Sequence, residues 1–156
     1  MPEKNGDSVN HLEEILGRAP NVNFSSGGSR ARFFQVRGIG ERGQFAEPLN
    51  ASVGLLLDGV DLSGIGTAAT LVDVSQVEVF RGPQGTVFGA NALAGLINIV
   101  TPNVADEFSG SVDLGLGNYS AVDVGGVLSG PINDRVGFRI SAHQYKDNGF
   151  IDNIRL

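Results

Sequence analysis

The chain has 156 residues, room for one ordinary domain and little more. Glycine accounts for 23 of them, about twice the average usage of roughly 7 %, while charged residues make up 18 % and hydrophobic ones 41 %, a balance that excludes disordered chains, collagen and helical bundles. Eleven basic against 17 acidic residues leave a net charge of −6, which argues against a nucleic-acid partner, and the absence of cysteine excludes disulfides, thiolate metal sites and thiol nucleophiles.

Residues 1–9 are polar, lack the apolar core of a secretory signal, and read as an unstructured N-terminus. Residues 10–17 predict a short helix, with Asn10 as cap, Glu13 three residues on, and Leu12, Ile15 and Leu16 on one face. Gly17 and Pro20 supply its stop. A polar stretch over residues 21–29 leads into a strand over residues 33–37. A second strand is predicted over residues 53–57, closed by the turn pair Asp58-Gly59. Residues 70–74 predict a helical turn, and residues 76–80 alternate polar and apolar as a third strand. Gly82-Pro83-Gln84-Gly85 has the form of a β-turn. After a Gly/Ala-rich crossing over residues 89–95 comes a fourth strand, residues 96–101, stopped by Pro102. The longest apolar stretch, residues 92–100, is broken by Gly95 and Asn98 and falls far short of the ~20 residues of a spanning helix.

From about Phe108 the pattern becomes a strict alternation. Val112, Leu114 and Leu116 alternate with Ser111, Asp113 and Gly115. After a turn at Gly117-Asn118, Val122, Val124 and Leu128 alternate with Asp123, Gly125 and Ser129. A tight turn at Pro131-Ile132-Asn133-Asp134 precedes Val136, Phe138, Ile140 and Ala142. Strands of about ten residues with one apolar face carry the signature of a transmembrane β-barrel. A one-sided antiparallel sheet in a soluble protein has the same period.

Short motifs for chemistry fail on context. Gly38-Ile39-Gly40-Glu41-Arg42-Gly43 matches G-x-G-x-x-G and Asp58 lies 20 residues beyond Gly38. A dinucleotide site also needs a helix opening at the third glycine, and Pro48, Asn50 and Gly54 break one. The two histidines, His11 and His143, have no ligand spacing, Asp58 and Asp61 do not follow a calcium loop, and no nucleophile elbow appears. Asn-x-Ser matches at Asn23, Asn50 and Asn118 lack a secretory signal to support them. No catalytic, cofactor or metal residue is assigned. What remains are two similar sites, Val36-Arg37-Gly38 and Phe80-Arg81-Gly82-Pro83, each an arginine at a strand end beside a glycine.

These residues resemble the plug domain of TonB-dependent outer-membrane receptors. The likeness runs through Phe34-Gln35-Val36-Arg37-Gly38 and Val53-Gly54-Leu55-Leu56-Leu57-Asp58-Gly59-Val60. It is strongest from Val77-Glu78-Val79-Phe80-Arg81-Gly82-Pro83-Gln84-Gly85-Thr86-Val87-Phe88-Gly89 on through Ala90 to Thr101. The resemblance implies an α+β plug, a small mixed sheet with short helices, over residues 10–103. Residues 106–156 would be the first antiparallel strands of an incomplete transmembrane β-barrel. Such barrels have about 22 strands and a plugged lumen. It further implies import of a scarce nutrient across the outer membrane, an iron–siderophore complex foremost, without a cofactor or enzymatic step. The TonB–ExbB–ExbD complex is the implied partner that drives the gate through an N-terminal box. Arg37 and Arg81 would latch plug to barrel, and Asp58, Gly59, Glu78, Gly82, Pro83, Gly85, Gly89, Gly95 and Asn98 are the plug motif positions. With no signal peptide, no recognisable TonB box and about three strands, the chain reads as a fragment of such a receptor. A soluble periplasmic or surface binding module reusing the plug fold is the alternative.

Overall fold

In the computed structural model, which describes residues 12–25, 31, 33–43, 51–63, 71–89 and 91–148, the apolar positions of the first half converge on two small sheets. By internal contact the chain forms two units, residues 1–102 and 103–156.

The first unit begins with helix α1 (Leu12–Leu16), which buries Leu12 and Leu16. Five residues are far fewer than the ~12–15 an isolated helix needs, so packing holds it. Each fully buried leucine contributes roughly 1.5–3 kcal/mol. The cap expected at Asn10 lies outside the described residues. Glu13 instead ties the helix to the chain just before the strand at Phe33–Val36, accepting a hydrogen bond from the Ala31 amide at 2.6 Å.

Within the stretch read as a polar connection, Val22–Ser25 is a strand, β1. It pairs antiparallel with β2 (Phe33–Val36), Val22 opposite Val36 and Phe24 opposite Phe34. Four residues with only Val22 and Phe24 apolar carry too short an alternation to stand out. A four-stranded mixed sheet follows, from β3 (Val53–Leu57), β4 (Val60–Asp61), β5 (Gln76–Arg81) and β6 (Gly95–Val100), in the order β4-β3-β6-β5. β3 runs parallel to β6, and the other two pairings are antiparallel. One sheet face contributes Val53, Leu55, Ile97 and Ile99 to the main core, joined by Leu12, Leu16, Val22, Phe34 and Val36. The other buries a smaller cluster of Leu56, Ala92 and Leu96 against Phe80.

Two local expectations are corrected. Residues 71–74 form bends rather than a helical turn, with Asp73 in the left-handed region at φ 53°, and Thr70 lies outside the described residues. Gly82-Pro83-Gln84-Gly85 does not close on itself as a β-turn. The Gly82 and Gln84 amides donate to the carbonyls of Ala94 and Ala92, so the stretch runs alongside the returning chain, and Gln84 leads into a one-turn helix α2 (Gly85–Phe88).

The second unit is an antiparallel meander of β7 (Ser109–Gly117), β8 (Ala121–Asn133) and β9 (Val136–Lys146). Its register stacks the expected apolar residues on one face, with Leu114 opposite Val124, Leu116 opposite Val122, and Leu128 opposite Ile140. That face is bare: Leu114 is 77 % and Leu116 88 % exposed. The other face carries Asp113, Asp123, Ser129, Arg139 and His143, with His143 Nε2 2.6 Å from Asp123 Oδ1. Both turns lie later than expected. Tyr119 and Ser120, at φ 59° and 56°, are the central residues of the first, closed by the Ala121 amide on the Asn118 carbonyl. Pro131 and Ile132 belong to β8, where the pairing slips between Pro131 and Asn133. A proline without an N–H sits in a central strand only at such an irregularity. Asn133 Oδ1 then accepts from the amides of Arg135 and Val136 to close the second turn.

Candidate functional site

The two arginine–glycine corners are built differently, and Gly95 links them: it pairs with Arg81 and lies against Val36. Val36 ends β2, and its amide and carbonyl pair with Ile39, so Arg37 and Gly38 are the centre of a two-residue turn at φ 54° and 80°. Both central residues are left-handed, the conformation that matches strand twist in a tight hairpin. The turn holds Arg37 at the surface. Arg81 ends β5 opposite Gly95, and Gly82 bends the chain at φ 138°. A Cβ on Gly95 would lie 3.0 Å from Val36 Cγ2 and 2.7 Å from the Phe80 carbonyl. The absence of that Cβ lets Val36, the residue before Arg37, pack against Gly95, the residue paired with Arg81. Arg37 and Arg81 are exposed. Among the described residues, neither guanidinium has an ion-pair partner.

The carboxylates of the motif are engaged elsewhere. Glu78 faces Asn98 across β5 and β6 and accepts hydrogen bonds from Asn98 Nδ2 and Gln76 Nε2, both at 2.8 Å. Asp58 and Gly59, at φ 48° and 82°, form the hairpin turn between β3 and β4. The Asp58 carboxylate reaches across the sheet, accepting from the Thr101 amide at 2.9 Å and its hydroxyl at 2.7 Å. The Thr101 amide first, and then its hydroxyl, hold the Asp58 carboxyl below its ordinary value. At Asp61, burial pushes upward, but hydrogen bonds from Ser63 and Asn91 outweigh it and lower that carboxyl too. Gly89, at φ 89°, ends α2 with its amide on the Gly85 carbonyl. Pro83 and Gly85 shape the exposed connection before it.

A clamp that the sequence does not announce lies beneath the Arg37 corner. Gln35 is buried at a strand position between two apolar residues, and its Nε2 donates to the Glu41 carbonyl. The Glu41 carboxylate accepts from the Ser52 hydroxyl at 2.6 Å and amide at 3.1 Å. A Cβ on Gly40 would collide with the Phe34 carbonyl. The glycines of the G-x-G-x-x-G match therefore serve a folded-back loop, and residues 41–43 open no helix. Among the described residues no group of three His, Cys, Asp or Glu side chains could hold a metal ion.

A mixed-sheet plug with paired arginine–glycine corners, leading into amphipathic barrel-type strands, is the class of domain this geometry defines. A profile of the TonB-dependent receptor plug domain matches residues 3–96, and the chain belongs to that family. The pesticin receptor of Yersinia enterocolitica is 32 % identical over 134 residues, 85 % of this chain and 20 % of the relative. The ferric yersiniabactin uptake receptor FyuA from Yersinia pestis superposes with a TM-score of 0.69 at 33 % identity, over 85 % of this chain and 21 % of that one. The pyoverdine outer membrane receptor FpvA from Pseudomonas aeruginosa PAO1 shares the fold at 22 % identity, with a TM-score of 0.72 over 92 % of this chain and 21 % of that one. The chain spans about a fifth of the length of the curated relatives it matches.

Proposed function

We propose that this chain is part of a TonB-dependent outer-membrane receptor that imports a scarce nutrient, an iron–siderophore complex foremost. In this reading residues 10–103 gate the lumen and residues 106–156 are the first strands of the barrel. The observation that carries it is the reach of the likeness to FyuA, a ferric yersiniabactin uptake receptor, at 33 % identity. The 134 residues aligned with the pesticin receptor exceed the 102 of the first unit, so similarity runs from the plug into the strands.

Physical features support each part. The three strands have 9, 13 and 11 residues, and a tilted strand needs about 9–11 to cross the hydrocarbon. A sheet serving a soluble binding module would pack its apolar face, whereas Leu114 and Leu116 stand in the open. Among the described residues no helix is long and apolar enough to cross a membrane. Arg37 and Arg81 are the latch in this reading: both are exposed, and a guanidinium can hold a carboxylate of a later barrel strand through paired hydrogen bonds. The TonB–ExbB–ExbD complex is the proposed driver.

The test is uptake of radioactive iron by cells lacking their own siderophore receptors, given the full-length receptor that bears this sequence and a panel of ferric siderophores. Uptake of one of them that vanishes in a TonB-null strain supports the reading. No TonB-dependent uptake across the panel, from receptor verified in the outer membrane, contradicts the siderophore assignment.

A further inference from the structure

The segment that opens the second unit is fastened before it becomes a strand. Ser129 lies on the polar face of β8 and is fully buried. Its hydroxyl accepts a hydrogen bond from the Ala105 amide at 2.9 Å and donates to the Phe138 carbonyl at 3.2 Å. Both capacities of one hydroxyl are thus spent joining residue 105 to the β8–β9 pair. Two residues earlier in β9's direction of pairing, Gly137 stands opposite Pro131, and a Cβ there would lie 2.5 Å from Val104 Cγ1. On the other face Phe108 covers Gly130, where a Cβ would lie 2.9 Å from its ring, and packs on Phe138 at a centroid separation of 6.1 Å. Beyond these contacts a cleft of about 510 Å³ separates residues 104–106 from the β8–β9 turn. Ser129, Gly137 and the Phe108–Phe138 contact together fasten the segment.

We propose that residues 103–105 are a strap, pinned to the polar face of β8 by Ser129, which holds the segment entering β7 to the β8–β9 pair as firmly as the strands hold one another. A part-buried hydrogen bond whose removal deprives the Ala105 amide of its partner resists peeling better than an exposed linker does.

Hydrogen exchange of the 156-residue chain in detergent micelles reads the pin directly. The Ala105 amide should be protected to the same order as amides within β8 and β9. Ser129→Ala should speed its exchange about tenfold, the equivalent of one net hydrogen bond, with β8–β9 protection unchanged. Gly137→Ala, which pushes Val104 away while leaving Ser129 intact, should loosen the same amide. An Ala105 amide exchanging at the unprotected rate in the parent chain overturns the proposal. So does a Ser129→Ala variant in which strand and strap amides lose protection together, or a folded Gly137→Ala variant with Ala105 unmoved.

Discussion

Gly95→Ala perturbs the contact on which the arginine corners depend. Gly95 has no left-handed φ, so an alanine there suffers no backbone penalty, and its effect is steric. The new methyl would lie 2.7 Å from the Phe80 carbonyl and 3.0 Å from Val36 Cγ2, where ordinary contact begins near 3.4 Å. The carbonyl belongs to the β5 ladder and cannot swing aside, so β2 or β5 must shift. Overpacking of this kind costs about 1–3 kcal/mol. The lower entropy of the unfolded alanine chain returns about 0.4–1 kcal/mol. A net loss of about 1–2 kcal/mol, with a urea slope of roughly 2 kcal/mol per molar, moves the midpoint down by about 0.5–1 M. The assay is a urea melt of the 156-residue chain in mild detergent, read from exchange of the β5 and β6 amides. Gly85→Ala is the control, because nothing lies within 4 Å of its Cβ position and it starts a helix. It should be neutral or slightly stabilising. A Gly95→Ala midpoint equal to that of the parent would show that Val36 does not rest on Gly95, and the link between the two arginine turns would be lost.

Arg37→Ala and Arg81→Ala should each cost under ~1 kcal/mol in this chain by the same melt, as exposed charges do, and about 3–5 kcal/mol in a complete receptor if each is one half of a buried pair. A large loss in the short chain would make either arginine a structural ion pair and end its assignment as a latch. Asp58, held low by Thr101, stabilises the fold fully above the ordinary carboxylate range near ~3.9 and loses that contribution as pH falls through its depressed value. Asp58→Asn should therefore flatten the acid limb of the stability profile, and an unchanged limb below pH ~4 would refute the Thr101 tie. Residues 1–102 alone should be more soluble in detergent-free buffer than the whole chain, because Val112, Leu114 and Leu116 leave with the strands. Lower solubility would mean that these strands pack against the first unit, as in a soluble module.

The parts of this fold legible in the sequence are those set by local period or by turn chemistry. The alternation through Val112, Leu114 and Leu116 fixes which face is apolar, and Asp58-Gly59 reads as a two-residue hairpin turn, because both signals reside in adjacent residues. The misses share the opposite cause. β1 has only Val22 and Phe24 to mark it and exists because β2 pairs with it. The turn expected at Pro131 lies at residues 134–135, since a register slip on β8 accommodates the proline, and a slip is a property of two strands. Motif membership likewise singles out Glu78, Asn98 and Asp58, but only pairing shows Asn98 facing Glu78, or the Asp58 carboxylate closing on Thr101 43 residues away. Gln35 left the one trace available, a polar residue at an inward position of an apolar strand.

Planar-bilayer recording of the full-length receptor bearing this sequence, with and without residues 10–103, tests the central claim most directly. A plug inside a barrel predicts a quiet membrane with the intact receptor and large, stable conductance steps once the segment is deleted. Equal conductance from both proteins, with the barrel verified as folded, would contradict it.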